Sequence, residues 1–150
     1  MELVKLNFPD FKPRLKKNNQ DLLQIWDICR KKFLVLTPEE WVRQHAIHFL
    51  NHHLGYPFSL IKTEAGHTLN KLRKRTDILI FNSKAEVEIL VECKSNDVLI
   101  NQKVVEQAVI YNKTMNASFI YLTNGFQHIF LKKDENSATY QQINHLPAYL

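Results

Sequence analysis

At 150 residues, 45% apolar, 23% charged and with three glycines, the chain has the size and make-up of one globular domain that mixes helices and strands. No apolar run approaches the roughly 18 residues of a bilayer span, and the N-terminal MELVKLNFPDFKPRLKK has no apolar core of a secretion signal, so a cytoplasmic protein without a membrane partner is expected. The net charge of +5 points towards polyanions, and Cys29 and Cys93 have no metal spacing or disulfide framework, so both should be reduced.

In chain order, residues 1–19 hold Pro9 and Pro13 among basic positions and read as an arm, packed in extended form or partly mobile. The spacing of Leu22, Leu23, Ile25, Trp26, Ile28 and Cys29 predicts a short amphipathic helix over residues 20–32, and Phe33 to Leu36 a small strand. Thr37-Pro38-Glu39-Glu40 is a helix start, with Thr37 as N-cap, Pro38 in the first turn and Glu40 closing a capping box. That helix should run to about Leu54 and stop at Gly55, burying Val42, Ala46, Phe49 and Leu50. Glu39 falls on the same face and Glu40 near its edge. Either acid can reach towards an adjacent sheet, or simply serve the cap and the helix dipole. His45, His48, His52 and His53 decorate this helix, but no HExxH and no nearby cysteine completes a zinc site, so they read as surface or boundary residues.

Residues 56–64 predict a first strand, with Glu64 as a further acidic candidate near its end. Two strands follow, RTDILIF and VEILVEC, with a turn at Asn82-Ser83-Lys84. Residues 101–115 predict a second helix with Val104, Ala108, Tyr111 and Met115 on one face. Residues 118–123 and 128–132 are two more strands, and Asn124-Gly125 between them favours a type I′ hairpin turn. The tail is polar and ends in a segment, His145 to Leu150, expected to dock. The order predicts a three-layer α/β fold with a mixed sheet.

The chemistry concentrates in the central strand pair. Ile89, Val91 and Cys93 share one side of the second strand, while Leu90, Glu92 and Lys94 share the other. A carboxylate and an ammonium emerging from a buried strand cost several kcal/mol unless compensated. Asp77, early in the preceding strand, can compensate them, above all if the two carboxylates share a divalent cation. The plain alternative is a structural ion pair. Basic runs at Lys12-Arg14-Lys16-Lys17, Arg30-Lys31-Lys32 and Lys71-Arg73-Lys74-Arg75 can be solvated faces. The last leads into the strand of Asp77, so Arg73, Lys74 and Arg75 are placed to meet phosphates without sequence preference.

Asp77, followed at position 92 by Glu92-Cys93-Lys94, resembles the D…ExK signature of the PD-(D/E)XK nuclease superfamily, with Thr76 where the name prescribes proline. Gln107 and Tyr111 are similar to the QxxxY motif that follows ExK in some branches. More narrowly, TPEEWVRQ (37–44), HLGYP (53–57), RTDILIF (75–81), VECKS (91–95), EQAVIYN (106–112) and YLTNG (121–125) resemble the N-terminal nuclease domain of type I restriction enzyme R subunits, small stand-alone members above all.

The resemblance implies a restriction-endonuclease-like three-layer core, a central mixed β-sheet flanked by helices, in residues 31–150, after an arm and short helix in residues 1–30. It implies a metal-dependent DNA endonuclease using Mg²⁺ or Mn²⁺. Asp77, Glu92 and the Cys93 backbone carbonyl would hold the ion, with Glu39, Glu40 or Glu64 completing the cluster. Lys94 would orient or deprotonate the attacking water, Gln107 would line the site, and Tyr111 would contact DNA. The alternative is a non-catalytic DNA-binding or interaction module of a restriction or repair assembly. The chain has no GxxxxGK[ST] P-loop, so helicase, translocase or specificity functions would belong to other chains. Cleavage of both strands makes a homodimer plausible.

Overall fold

The computed structural model describes residues 2–65 and 76–150. Its strands fall into two sheets. The first is small and antiparallel, β1 (Leu15–Lys17), β2 (Leu23–Asp27) and β3 (Lys32–Val35). After it comes α1 (Pro38–His52), then a 3-10 turn at Phe58–Leu60 that leads into β4 (Ile61–Ala65). The second sheet continues with β5 (Thr76–Phe81) and β6 (Val87–Cys93), then α2 (Gln102–Met115), β7 (Phe119–Thr123), β8 (His128–Lys133) and β9 (Tyr140–Ile143).

In the six-stranded sheet the order is β4-β5-β6-β7-β8-β9. All neighbours are antiparallel except β6 and β7, which run parallel because α2 carries the chain across between them. The sheet is therefore mixed, and each face is covered. Val42, Ala46 and Leu50 of α1 join Ile78, Ile80, Ile89, Val91 and Cys93 in one core cluster. Ala108 of α2 joins Leu79, Leu90, Ile120 and Leu122 in the other. The alternation along β5 and β6 assigns each side chain to one of these layers, as the strand period requires. This is the three-layer α/β core expected from the sequence.

Several local expectations change. Residues 20–32 are not a helix. The Asn18 side chain accepts from the Gln20 and Leu22 amides, and that of Asp27 from Cys29 and Arg30, so each builds a turn in competition with helical bonding. Between those turns Leu23, Ile25 and Asp27 alternate with Gln24 and Trp26, a strand period that the 3.6-residue reading had masked. At the start of α1 the Thr37 hydroxyl does accept from the Glu40 amide, at 3.1 Å, but the Glu40 carboxylate turns to Arg43 and Gln44 instead of closing the box.

The first half of the strand predicted from residue 56 is the 3-10 turn. The β7–β8 connection spans residues 124–127, with only Gly125 at positive φ, and the Asn124 side chain accepts from Phe126 and Gln127. A type I′ turn needs positive φ at two positions, so this is a wider turn held by an asparagine. The polar tail contains β9, which the sequence reading did not resolve.

The N-terminal arm packs against the domain. Leu6 is buried, the Asn7 amide donates to the Gly125 carbonyl at 2.7 Å, and Trp41 Nε1 donates to the Val4 carbonyl at 2.8 Å. A Cβ on Gly125 would lie 2.7 Å from Leu6 Cδ2, so Leu6 would have to shift, and the φ of +93° favours glycine there. At the other terminus Leu146 is buried, and Tyr56 donates to the Pro147 carbonyl. The docked tail expected from the sequence is present.

Candidate active site

Ile78 pairs with Val91, so Asp77 and Glu92, one residue further along each strand, stand at the same level of β5 and β6. Both share the strand parity of Leu79 and Leu90, on the side covered by α2. Past this point β6 runs out: the Lys94 amide donates to the Thr123 carbonyl at 2.8 Å, and the strand ends. The acids and the lysine thus occupy the end of a strand pair whose central residues, Ile78 to Ile80 and Ile89 to Val91, are apolar and buried.

Asp77 Oδ2 accepts from the Cys93 amide at 2.7 Å, and Lys94 Nζ lies 3.1 Å from Glu92 Oε1. Burial pushes the Asp77 carboxyl up to about 7, opposed by the Cys93 amide and Arg43 and reinforced by the neighbouring Glu39 and Glu92 carboxylates. For Lys94 burial works against the charge, but Glu92, Asp77 and Glu39 outweigh it and raise its pKa. The ammonium is firmly protonated. The same carboxylates that crowd Asp77 hold that proton on the lysine.

The two glutamates at the start of α1 separate. Glu40 is engaged on the protein side, with 2.9 and 2.7 Å bonds from Arg43 and a 2.8 Å bond from Gln44. Glu39 is exposed at the helix start, and its charge is felt at Asp77, Cys93 and Lys94. Gln107 is exposed on α2, and Tyr111 packs against the Leu79–Leu90 cluster. Arg73, Lys74 and Arg75 lie outside the described residues, as does the side chain of Glu64.

Two residues that sequence reasoning missed support the site from behind. Asp27 of β2 is fully buried, its Oδ1 accepting from Cys29 and Arg30 and its Oδ2 lying 3.5 Å from Arg43 Nη2. Arg43 is 5% exposed and joins Asp27 to Glu40. Burial opposes its charge, and Glu40 and Asp27 raise its pKa regardless. The i, i+3 spacing of Glu40 and Arg43 was a readable signal, whereas the partner on β2 was hidden by the helix reading of that segment.

Among the described residues no three His, Cys, Asp or Glu side chains are gathered tightly enough to hold a metal ion by themselves. The donor set nonetheless fits a hard divalent cation. It consists of oxygens, and burial, reinforced by the Glu39 and Glu92 carboxylates, disfavours the Asp77 charge that a bound cation would stabilise. The histidines of α1 offer no rival centre. His45 Nδ1 donates to the Trp41 carbonyl, and the His48 ring stacks on Phe11 at 4.2 Å.

The family model for the type I restriction enzyme R protein N terminus (HSDR_N) matches residues 38–147. The chain belongs to this family. The R-protein N-terminal segment takes in α1, α2 and the whole six-stranded sheet, so Glu39, Asp77, Glu92, Lys94, Gln107 and Tyr111 all lie within the match. The arm and β1–β3 lie outside it. No curated protein matches the sequence. No helix among the described residues is long and apolar enough to cross a membrane.

Proposed function

We propose that this chain is a divalent-metal-dependent DNA endonuclease domain that hydrolyses phosphodiester bonds. The observation that carries the reading is the meeting of Asp77, Glu92 and Lys94 at one strand end, with the charge of Glu39 directed at the same group. Asp77, Glu92 and the Cys93 carbonyl would hold Mg²⁺ or Mn²⁺, with Glu39 rather than Glu40 as the further acid. When bound, the ion neutralises charge on the scissile phosphate and makes water more acidic.

The chain's own residues account for the remaining steps. The Cys93 amide fixes Asp77 Oδ2 and so orients the carboxylate. Lys94, held on Glu92 and fully protonated, positions the attacking water by donating to it and offsets negative charge as the phosphate becomes pentacovalent. Its contact with the Glu92 carboxylate favours the charged form, which suits an electrostatic role. Water then attacks phosphorus while giving a proton to solvent, the bond to the 3′-oxygen breaks, and that oxygen takes a proton from solvent to leave as a hydroxyl. Gln107 and Tyr111 on α2 would line the path of the DNA, and Arg73, Lys74 and Arg75, which lead into β5, would bind backbone phosphates. Motor and specificity functions would come from other chains, and a homodimer would allow both strands to be cut.

Plasmid cleavage with Mg²⁺ or Mn²⁺ tests this reading. The native chain should nick DNA, and Asp77→Ala and Lys94→Ala should each lower the rate by at least about 100-fold, the scale on which transition-state stabilisers act. Nicking that survives EDTA, or that both variants retain, would overturn it.

A further inference from the structure

We propose that the outer face of the β1–β3 sheet is a second DNA-binding surface, one that grips the phosphate backbone beside the site. The choice of DNA as its ligand rests on the nuclease reading above. The surface itself rests on independent observations. Residues 11–35 contain seven of the chain's 20 Lys and Arg but only two of its 15 Asp and Glu, so they carry a net charge equal to the +5 of the whole chain. Of those two acids, Asp27 is buried against Arg43, and Asp21 sits 3.5 Å from Lys17.

The fold brings two of these cations, Arg14 and Lys16, to one face. Ile25 of β2 is buried in the α1 core cluster, so its neighbours Gln24 and Trp26 face the other way. Trp26 lies beside Phe33 of β3 with ring centres 5.1 Å apart. The Arg14 guanidinium rests 4.6 Å above the Trp26 ring, and Lys16 Nζ 4.2 Å above that of Phe33. Two exposed cations thus lie over a pair of half-buried aromatic rings, Lys16 sharing the strand parity of Gln24 and Trp26. A pair of solvent-exposed cations beside stacked rings offers a phosphate backbone and its bases the two kinds of contact they take. Position supports the same ligand: only Leu36 and Thr37 separate β3 from α1, whose second residue is Glu39.

The test uses the whole chain in EDTA, so that no cleavage occurs, with a fluorescein-labelled DNA duplex and anisotropy read between about 50 and 200 mM salt. Arg14→Gln/Lys16→Gln should lower the slope of log affinity against log salt by about 2 and weaken binding about tenfold or more. Lys84→Gln/Lys132→Gln removes equal charge from the opposite end of the large sheet and should leave the slope as it was. Trp26 emission, isolated by comparison with Trp26→Phe, should change on DNA addition. An unchanged slope in an Arg14/Lys16 variant that melts normally would overturn the proposal. So would binding to anionic phospholipid vesicles that depends on Arg14 and Lys16 while DNA affinity does not. Cleavage is read separately: a chain that never cuts but shows the slope change loses the nuclease and keeps this surface, and the converse result does the opposite.

Discussion

Asp77 is held in a place that disfavours its charge. Its pKa, pushed to about 7 by burial and by nearby carboxylates, exceeds the ordinary value of 3.8, so the folded state keeps a proton that the unfolded chain releases. Stability contributed by that proton is full below pH 4 and falls as the pH rises towards 7, at a cost of about 4 kcal/mol at most. Asp77→Asn should therefore melt higher than the native chain at pH 8 and lose the decline between pH 4 and 7, which thermal unfolding across pH will check. Mg²⁺ should raise the melting temperature of the native chain at pH 8 and leave that of Asp77→Asn nearly unchanged. A site that is costly to form and is relieved by its ligand is what a functional carboxylate cluster requires.

At the level of elements, α1 is the hub between the small sheet and the site. Arg43→Met would leave the carboxylate of Asp27 buried without its cation and should destabilise the protein by about 3–5 kcal/mol in urea titration. Combining it with Asp27→Asn should cost less than the sum, because the stranded charge is gone. The arm is tied to the same helix through aromatic rings: Phe11 stacks on His48, and Phe8 lies 5.6 Å from His45. Burial depresses both histidines, His48 to about 4 with help from His52 and His45. Their packing favours the neutral rings, so the stability they contribute is present above about pH 6.5 and declines as the pH falls towards 4. Hydrogen exchange of the Trp41 indole N–H, which donates to Val4, should accelerate over that window if the arm releases.

Across the whole molecule, what was legible in the sequence was what rests on local pattern. The strand pair around Asp77 and Glu92, the Thr37 cap and the two helices are written in period and capping chemistry, and the layer assignment of Leu90 against Val91 followed from alternation alone. Of the small sheet β3 was foreseen as the strand at Phe33 to Leu36, whereas β1 and β2 were missed because six apolar residues at mixed spacing satisfy two periods, and the deciding bonds come from the Asn18 and Asp27 side chains. In the site, the Asp77, Glu92 and Lys94 group was visible, but the choice between Glu39 and Glu40 was not. It depends on Arg43 turning one carboxylate away, a contact made possible by a strand distant from both.

The single parallel seam between β6 and β7 has a consequence for the order of folding. Asp77 and Glu92 belong to one antiparallel hairpin, which closes over a short stretch of chain. The Lys94 backbone is bonded across the seam, to Thr123, and β6 meets β7 only after α2 has been laid down between them. Local hairpins close earlier than such distant pairings. The two acids are thus brought together first, and the Lys94 backbone, with its charge already beside Glu92, is fixed only when the two halves of the sheet have joined.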